Sequence, residues 1–178
     1  MTNTISHLDN RQVEILQTQI VAVYRDAFSY KPEIEVADFI QSLPIHIQRA
    51  DFRFIGAFDD SPEQLVGFAY GYTSQPGQWW YEQVKAALPA QITEEWLNNS
   101  FQFAEIAVSP GFQGQGIGSR LHDDLLKGLW HDKAILSTLQ AETVAHRLYR
   151  NRGWVVLREN LFFPEVNRPY QIMGLEIA

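Results

Sequence analysis

Residues 101–118 read FQFAEIAVSPGFQGQGIG, an apolar strand running into a glycine-rich turn. Phe101–Val108 has the aromatic and β-branched make-up of a strand, and Ser109-Pro110-Gly111 stops it. Gln113-Gly114-Gln115-Gly116-Ile117-Gly118 then leads into a helix predicted from about Ile117 to Trp130. A helix start offers unpaired backbone N–H groups and the positive end of the dipole, both suited to phosphate. Glycines let the backbone approach a ligand, because no Cβ stands in the way. The plain alternative is a tight turn without a ligand, but three glycines at alternate positions are more than such a turn needs.

Three phosphate-bearing ligands compete for this turn. A nucleoside triphosphate loop would end Gly-Lys-Ser/Thr, whereas Gly118 is followed by Ser119 and Arg120, with no lysine. A dinucleotide site would need G-x-G-x-x-G and an acidic residue ending the next strand. Gly114 and Gly116 fit, but Ser119 takes the third glycine position and the next strand ends Ser137-Thr138-Leu139-Gln140. Both readings fail. The third is a pyrophosphate on a cofactor with a long amide-bearing arm, which the preceding strand would bind as it binds a neighbouring strand. Coenzyme A has that shape.

Working outward, residues 9–28 read as one amphipathic helix carrying Val13, Leu16, Ile20, Tyr24, Ala27 and Phe28. A second helix begins after Pro32, and Pro44 is expected to break or kink it. Phe52–Phe58, a turn at Asp59-Asp60-Ser61-Pro62 and Leu65–Thr73 make a hairpin. Residues 78–99 form an aromatic-rich insertion of two short helices divided by Pro89 and bearing Trp79, Trp80 and Trp96. A strand over Ala134–Leu139, a helix over Glu142–Asn151 capped by Gly153, and strands at Trp154–Arg158 and Tyr170–Ile177 complete the chain. That order predicts an α/β (α+β) fold with a mixed sheet, in one domain spanning residues 1–178.

The 178 residues are 46% hydrophobic and 20% charged, enough to bury a core. No apolar run is long enough to span a membrane, and the polar first ten residues show no export signal. With no cysteine, a disulfide scaffold, a thiolate metal site and a cysteine nucleophile are excluded, which makes a cytoplasmic protein the expectation. A net charge of -7 argues against nucleic acid as a partner. His7, His46, His122, His131 and His146 show no metal-ligand spacing, so no metal is expected; His146 is expected to face solvent.

Glu105-Ile106-Ala107-Val108-Ser109-Pro110 followed by Gln113–Gly118 resembles motif A of the GNAT superfamily of acetyl-CoA-dependent N-acetyltransferases. Ala145-His146-Arg147-Leu148-Tyr149-Arg150-Asn151-Arg152-Gly153-Trp154 resembles motif B of the same family, in the right order and with a strand between. The resemblance implies a GNAT-like fold, a central twisted mixed sheet with helices on both faces, and acetyl-CoA as cosubstrate. It implies that backbone groups of Ile106, Ala107 and Val108 bond the pantetheine arm. Amides from Gly114, Gln115, Gly116, Ile117, Gly118 and Ser119 would cradle the pyrophosphate, with Gln113 opening the loop. Arg120 and Lys127, seven apart on the next helix, are read as solvated cations rather than ligands of the 3′-phosphate.

Acetyl transfer to an amine needs a base, a donor for the oxyanion and help for the leaving thiolate, whose pKa in water is about 8.5. The Val108 amide is the oxyanion candidate. Tyr149 matches the family tyrosine that meets the sulfur, although it also fits an apolar face with Ala145 and Leu148. Glu105 is the base candidate: on an alternating strand it shares a face with Phe101, Phe103 and Ala107, where ionisation is costly. A strand-end carboxylate that reaches solvent or pairs with an arginine is the other reading. Two positions depart from the family. Ser137 stands where the ribosomal-protein-acetylating branch has its glutamate base, and Glu142 where an asparagine often contacts the cofactor.

The acceptor is expected to be the amine of a small molecule or peptide, attacking directly in a ternary complex. Trp79, Trp80, Tyr81 and Trp96 either wall its pocket or pack on the core. A monomer or homodimer is expected. The rivals are a non-catalytic acyl-CoA-binding or sensory module, and a transferase for longer acyl groups or alcohols.

Overall fold

The computed structural model describes residues 3–60 and 64–177. The turn expected at Asp59–Pro62 therefore lies partly outside the described residues. The chain forms two compact units, each discontinuous in sequence: one runs to Tyr72 and resumes over Ala104–Lys127, the other holds Thr73–Phe103 and everything from Gly128.

Among the described residues seven strands are hydrogen-bonded in the order β1-β2-β3-β4-β5-β7-β6. In the first unit β1 (Thr4–Leu8) pairs antiparallel with β2 (Arg53–Phe58), and β2 with β3 (Leu65–Thr73). In the second, β4 (Phe101–Val108) begins parallel to β5 (Lys133–Leu139), which pairs antiparallel with β7 (Tyr170–Glu176), itself antiparallel to β6 (Val155–Leu161). One parallel pair among antiparallel ones makes the sheet mixed, as predicted.

Strand β1 was not legible. Its five residues, TISHL, are polar at alternate positions and no residue of it is buried, so an edge strand left no hydrophobic run to find. The helix predicted over 9–28 is two: α1 (Asn10–Ile15) and α2 (Gln17–Ala27), broken at Leu16. Asp9 caps α1 with a capping box, its Oδ1 accepting from the Gln12 amide at 2.8 Å and Gln12 Oε1 from the Asp9 amide.

Helix α3 (Glu33–Ile47) runs unbroken through Pro44, contrary to the expected break. Proline removes one backbone donor, but the buried stripe Val36, Phe39, Leu43 and Ile47 holds the last turn on the core. Phe68, Tyr70 and Tyr72 of β3 point into that same core beside α2 and α3 residues. The opposite face of β3 approaches α6 (Ile117–Leu126): a Cβ on Gly67 would stand 3.3 Å from Leu121. Helix α6 ends four residues before the predicted Trp130, because Lys127 is extended and Gly128 has φ +71°.

In the second unit α4 (Trp79–Ala87) and α5 (Ala90–Trp96) form the insertion. Trp96 is buried, Tyr81 is buried with its hydroxyl donating to Asn98, and Trp80 donates its indole N–H to Ser137 Oγ at 2.9 Å. Only Trp79 stays largely exposed, at 57%. Packing thus accounts for three of the four aromatics offered as a wall. Helix α7 (Val144–Asn151) starts two residues later than predicted, capped by the Thr143 hydroxyl.

The insertion is fixed to the sheet at a bare glycine. A Cβ at Gly174 would stand 2.5 Å from the Trp96 ring. Gly174→Ala is expected to cost about 1–3 kcal/mol through overpacking, lowering the midpoint of thermal unfolding by several degrees; an unchanged midpoint would contradict this packing.

Candidate active site

Two hydrogen bonds fix how β4 runs beside β3. The Ser109 amide donates to Val66 O and the Ser74 amide to Ser100 O, each at 2.8 Å. Counting from one bond to the other, β3 advances eight residues while β4 advances nine. One residue of β4 is therefore extra. Side-chain packing shows where: Ala104 and Ala107 both face the core cluster of Phe68, Tyr70 and Tyr72, although strict alternation would send them to opposite faces. The phase therefore breaks between Ala104 and Ala107. This is a β-bulge, and it re-aims the side chain it carries.

The bulge also sorts the backbone. Beyond it Ala107 and Ser109 turn their peptide groups to β3, and Ile106 and Val108 turn theirs to the other edge. Two contacts agree. The Ala107 carbonyl lies 3.1 Å from where a Gly67 Cβ would be, and the Val108 carbonyl accepts from Gln113 Nε2 at 2.9 Å. Of the three strand residues expected to bond a pantetheine arm, Ile106 and Val108 present their backbone outward, and Ala107 is the spacer that faces β3.

The same strand end delivers the glycine turn. Pro110–Phe112 makes one turn of 3-10 helix, and Gln113 pins the loop to Val108. Gly114 and Gly116 have φ of +75° and +79°, which L-residues avoid, and a Cβ on either would meet nothing within 4 Å. Gly116 is the N-cap of α6 and no side chain caps the helix, so the amides of Ile117, Gly118 and Ser119 open the helix bare. Gln115 makes a long 3.5 Å bond back to Gly111 O. Arg120 donates to Asn3 O at 3.2 Å, which occupies one of the two helix cations read as solvated.

Glu105 is half-buried beside Lys31. Burial pushes its carboxyl above the ordinary range, while the Lys31 ammonium and a hydrogen bond from the Ile106 amide pull it partly back. Lys31 is itself seated, with Nζ 2.9 Å from Tyr24 Oη and 4.2 Å from the Phe28 ring centre. Tyr70, fully buried, is raised well above the usual phenol range by burial and then by the Glu105 charge. Its hydroxyl lies 2.9 Å from His46 Nδ1. Burial and Arg49 hold His46 down to about 3, so it is neutral at physiological pH. Sequence reasoning missed Lys31, Tyr70 and His46. Lys31 lies in the loop before α3, His46 on α3 and Tyr70 on β3, and no motif joins them.

Tyr149, in the second unit, is buried with its ring edge-on to Phe103 at 6.0 Å and tilted against Trp154 at 5.7 Å. His146 does not face solvent: it is buried, and its Nε2 lies 3.0 Å from Gln171 Oε1. The buried residues of α7 are His146 and Tyr149, three apart on one face, whereas Ala145 and Leu148 are half-buried. No group of three or more metal-binding side chains occurs among the described residues. No described helix is long and apolar enough to cross a membrane.

A sequence profile of the Acetyltransferase (GNAT) family matches residues 18–154. The chain belongs to that family. A GCN5-like protein acetyltransferase of Mycobacterium tuberculosis is 32% identical over 118 residues, 62% of this GNAT chain and 57% of the relative. The chain thus spans little more than half the length of that curated relative. Among solved structures, the ribosomal-protein-S18-alanine N-acetyltransferase of Escherichia coli aligns with TM-score 0.67 and 16% identity, over 99% of this chain and 95% of that one. The PaiA N-acetyltransferase of Thermoplasma acidophilum, in complex with coenzyme A, aligns with TM-score 0.63 and 18% identity, over 99% and 100%. At such identities the likeness is one of fold: a mixed seven-stranded sheet flanked by helices.

His46 sets a pH signature. Its pKa is depressed in the fold from 6.5 to about 3, so the stability it confers is complete above pH 6.5 and drains away as pH falls toward 3. Urea unfolding of His46→Phe between pH 7 and pH 4 is expected to show a shallower acid loss than the parent; identical slopes would contradict a buried neutral imidazole.

Proposed function

We propose that this GNAT protein transfers an acetyl group from acetyl-CoA to a primary amine of a small molecule or peptide, by direct attack in a ternary complex. One observation carries the reading. A single stretch of chain from Ile106 to Ser119 offers outward-turned backbone at Ile106 and Val108, then a left-handed glycine turn, then the bare start of α6. Those groups suit, in that order, the amides of a pantetheine arm and the charge of a diphosphate. The coenzyme A complex of the PaiA neighbour supports the cofactor, and the relatives' names support an amine acceptor.

Acetyl-CoA would bring a thioester whose carbonyl is open to attack. The chain's own groups do the rest. Gly114, Gln115, Gly116, Ile117, Gly118 and Ser119 hold the diphosphate through main-chain amides, with Gln113 securing the loop. The Val108 amide donates to the oxyanion as the tetrahedral centre forms. Glu105 takes the amine proton; its raised pKa brings it nearer the pH at which a base is both ionised and strong enough. Tyr149, its ring fixed by Phe103 and Trp154, donates a proton toward the departing sulfur. We read residues 1–178 as a single N-acetyltransferase domain, the family profile spanning parts of both compact units.

The glutamate of the ribosomal branch is replaced by Ser137, whose hydroxyl receives the Trp80 indole N–H. That position is engaged in packing the insertion, which moves the role of base to β4.

Three variants test the reading. Gly116→Glu is expected to abolish coenzyme A binding in calorimetry by opposing the diphosphate with a carboxylate, while Gly116→Asn, which tolerates left-handed backbone, retains measurable binding; equal affinity for Gly116→Glu and the parent would contradict the cradle. Glu105→Gln is expected to lower kcat about 10²-fold or more, with coenzyme A affinity unchanged. Tyr149→Phe is expected to lower kcat more than it alters cofactor affinity, and a rate equal to the parent's would leave Tyr149 a packing residue only.

A further inference from the structure

The transfer proposed above makes no use of α4 and α5, yet these two helices enclose space. Leu88 and Pro89 are extended between them, and Tyr81 at the start of α4 donates to Asn98 Oδ1, just past the end of α5, at 2.6 Å. The helices therefore fold back on each other as a hairpin. Tyr81 and Lys85 of α4 and Leu88 just after it are four and three residues apart and share one face. Thr93 and Glu94 of α5, with Asn98 beyond it, supply the facing wall. Between them lies an open groove of about 410 Å³. Clefts that hold small molecules measure about 300–1,000 Å³. Tyr81, Leu88 and Thr93 are buried along its floor, while Lys85, Glu94 and Asn98 stand exposed at its rim.

Two opposite charges border this groove unpaired. Elsewhere in the insertion, Glu82 accepts from the Gly77 amide at 2.9 Å, and Glu95 lies 3.6 Å from Lys133, whose ammonium also rests over the Trp96 ring. Glu94 has no such partner among the described residues, and neither does Lys85, the single cation of residues 78–99. They do not pair with each other, so a ligand between them finds both charges available. On the floor, Thr93 is only 8% exposed and its hydroxyl has no hydrogen-bond partner. A buried hydroxyl left unbonded is destabilising, and a polar ligand group settled against it removes that deficit. A ligand of one sign would answer Lys85 or Glu94 and leave the other unmet. One carrying an ammonium and a carboxylate side by side answers both.

We propose that the α4–α5 groove is a binding site for a free aliphatic α-amino acid. Lys85 takes the α-carboxylate, which also meets the Thr93 hydroxyl, Glu94 takes the α-ammonium, and Leu88 receives the aliphatic side chain. Charge-assisted hydrogen bonds of this kind are about twice as strong as neutral ones. None of these residues belongs to the set assigned to the cofactor or to transfer, so the groove is an effector site rather than the acceptor's.

The inference does not rest on the transferase reading, and its test is read as binding alone. L-leucine is the probe, added to the 15N-labelled full chain while backbone amides are followed by NMR. The amides of Thr93, Glu94 and Asn98 are expected to shift saturably, and no saturable shift at about 10 mM L-leucine overturns the proposal. Two analogues each lack one charge: 4-methylpentanoate the ammonium, 3-methylbutylamine the carboxylate. Each is expected to bind at least about tenfold more weakly; either one binding as well as L-leucine overturns the recognition of a zwitterion. Lys85→Met and Glu94→Gln, both at exposed positions that the fold does not need, are each expected to lower L-leucine affinity about tenfold. Unchanged affinity in either variant overturns its assigned role. Acetylation of L-leucine that is lost in Lys85→Met would make the groove an acceptor pocket and overturn its separateness. Failure of acetyl transfer to every amine would remove the reading of the active site and leave these binding results standing.

Discussion

One extra residue in β4 governs the arrangement of this protein. A strand in perfect register would pair Ile106 with β3, bury Glu105 or expose it according to parity, and leave no backbone over. With the bulge between Ala104 and Ala107, the peptide groups of Ile106 and Val108 face outward, while Ala104 and Ala107 still pack on the core of Phe68, Tyr70 and Tyr72. Unpaired backbone is costly to bury and is kept only where a partner arrives. One turn of 3-10 helix then separates the strand end from a glycine turn whose own donors are uncapped. The outward-turned Val108 amide and the uncapped amides of α6 lie on one short stretch of chain, which makes one ligand the economical answer to both.

The same bulge places a carboxyl where charge is hard to carry. Glu105 is tolerated because Lys31 and the Ile106 amide offset part of its desolvation. Lys31 is in turn held by Tyr24 and Phe28, so the residues around Glu105 derive from α2, the loop before α3, and β3. Their mutual orientation is set by aromatic packing, with Tyr24 stacked on Phe39 at 3.9 Å and Tyr70 on Phe54 at 5.8 Å.

The sequence was most legible where signals are local. Pro110 and the glycines announced the turn, aromatic and β-branched residues announced β4, and Gly153 marked the end of α7, whose start lies two residues past the expected Glu142. It was least legible where tertiary packing overrides local preference. Strand β1 has almost no buried residue to betray it, and α3 survives Pro44 because Leu43 and Ile47 hold it down. Trp96 looked like a candidate for recognition, yet it is spent against Gly174. The motifs pointed to Glu105, Tyr149 and the glycine turn as candidates, but His46, Tyr70 and Lys31 are far apart in sequence and belong to no motif. The bulge itself has no sequence mark; it emerges only from counting residues between two hydrogen bonds.

The most direct test of the account follows backbone amides in solution while coenzyme A is added to 15N-labelled protein. The account predicts that the resonances of Ile106, Val108, Gly114, Gly116, Ile117, Gly118 and Ser119 move together at one saturating concentration, and that Ala107, turned toward β3, moves least among its neighbours. Saturable binding that leaves those amides unmoved, or no binding at millimolar ligand, would contradict it.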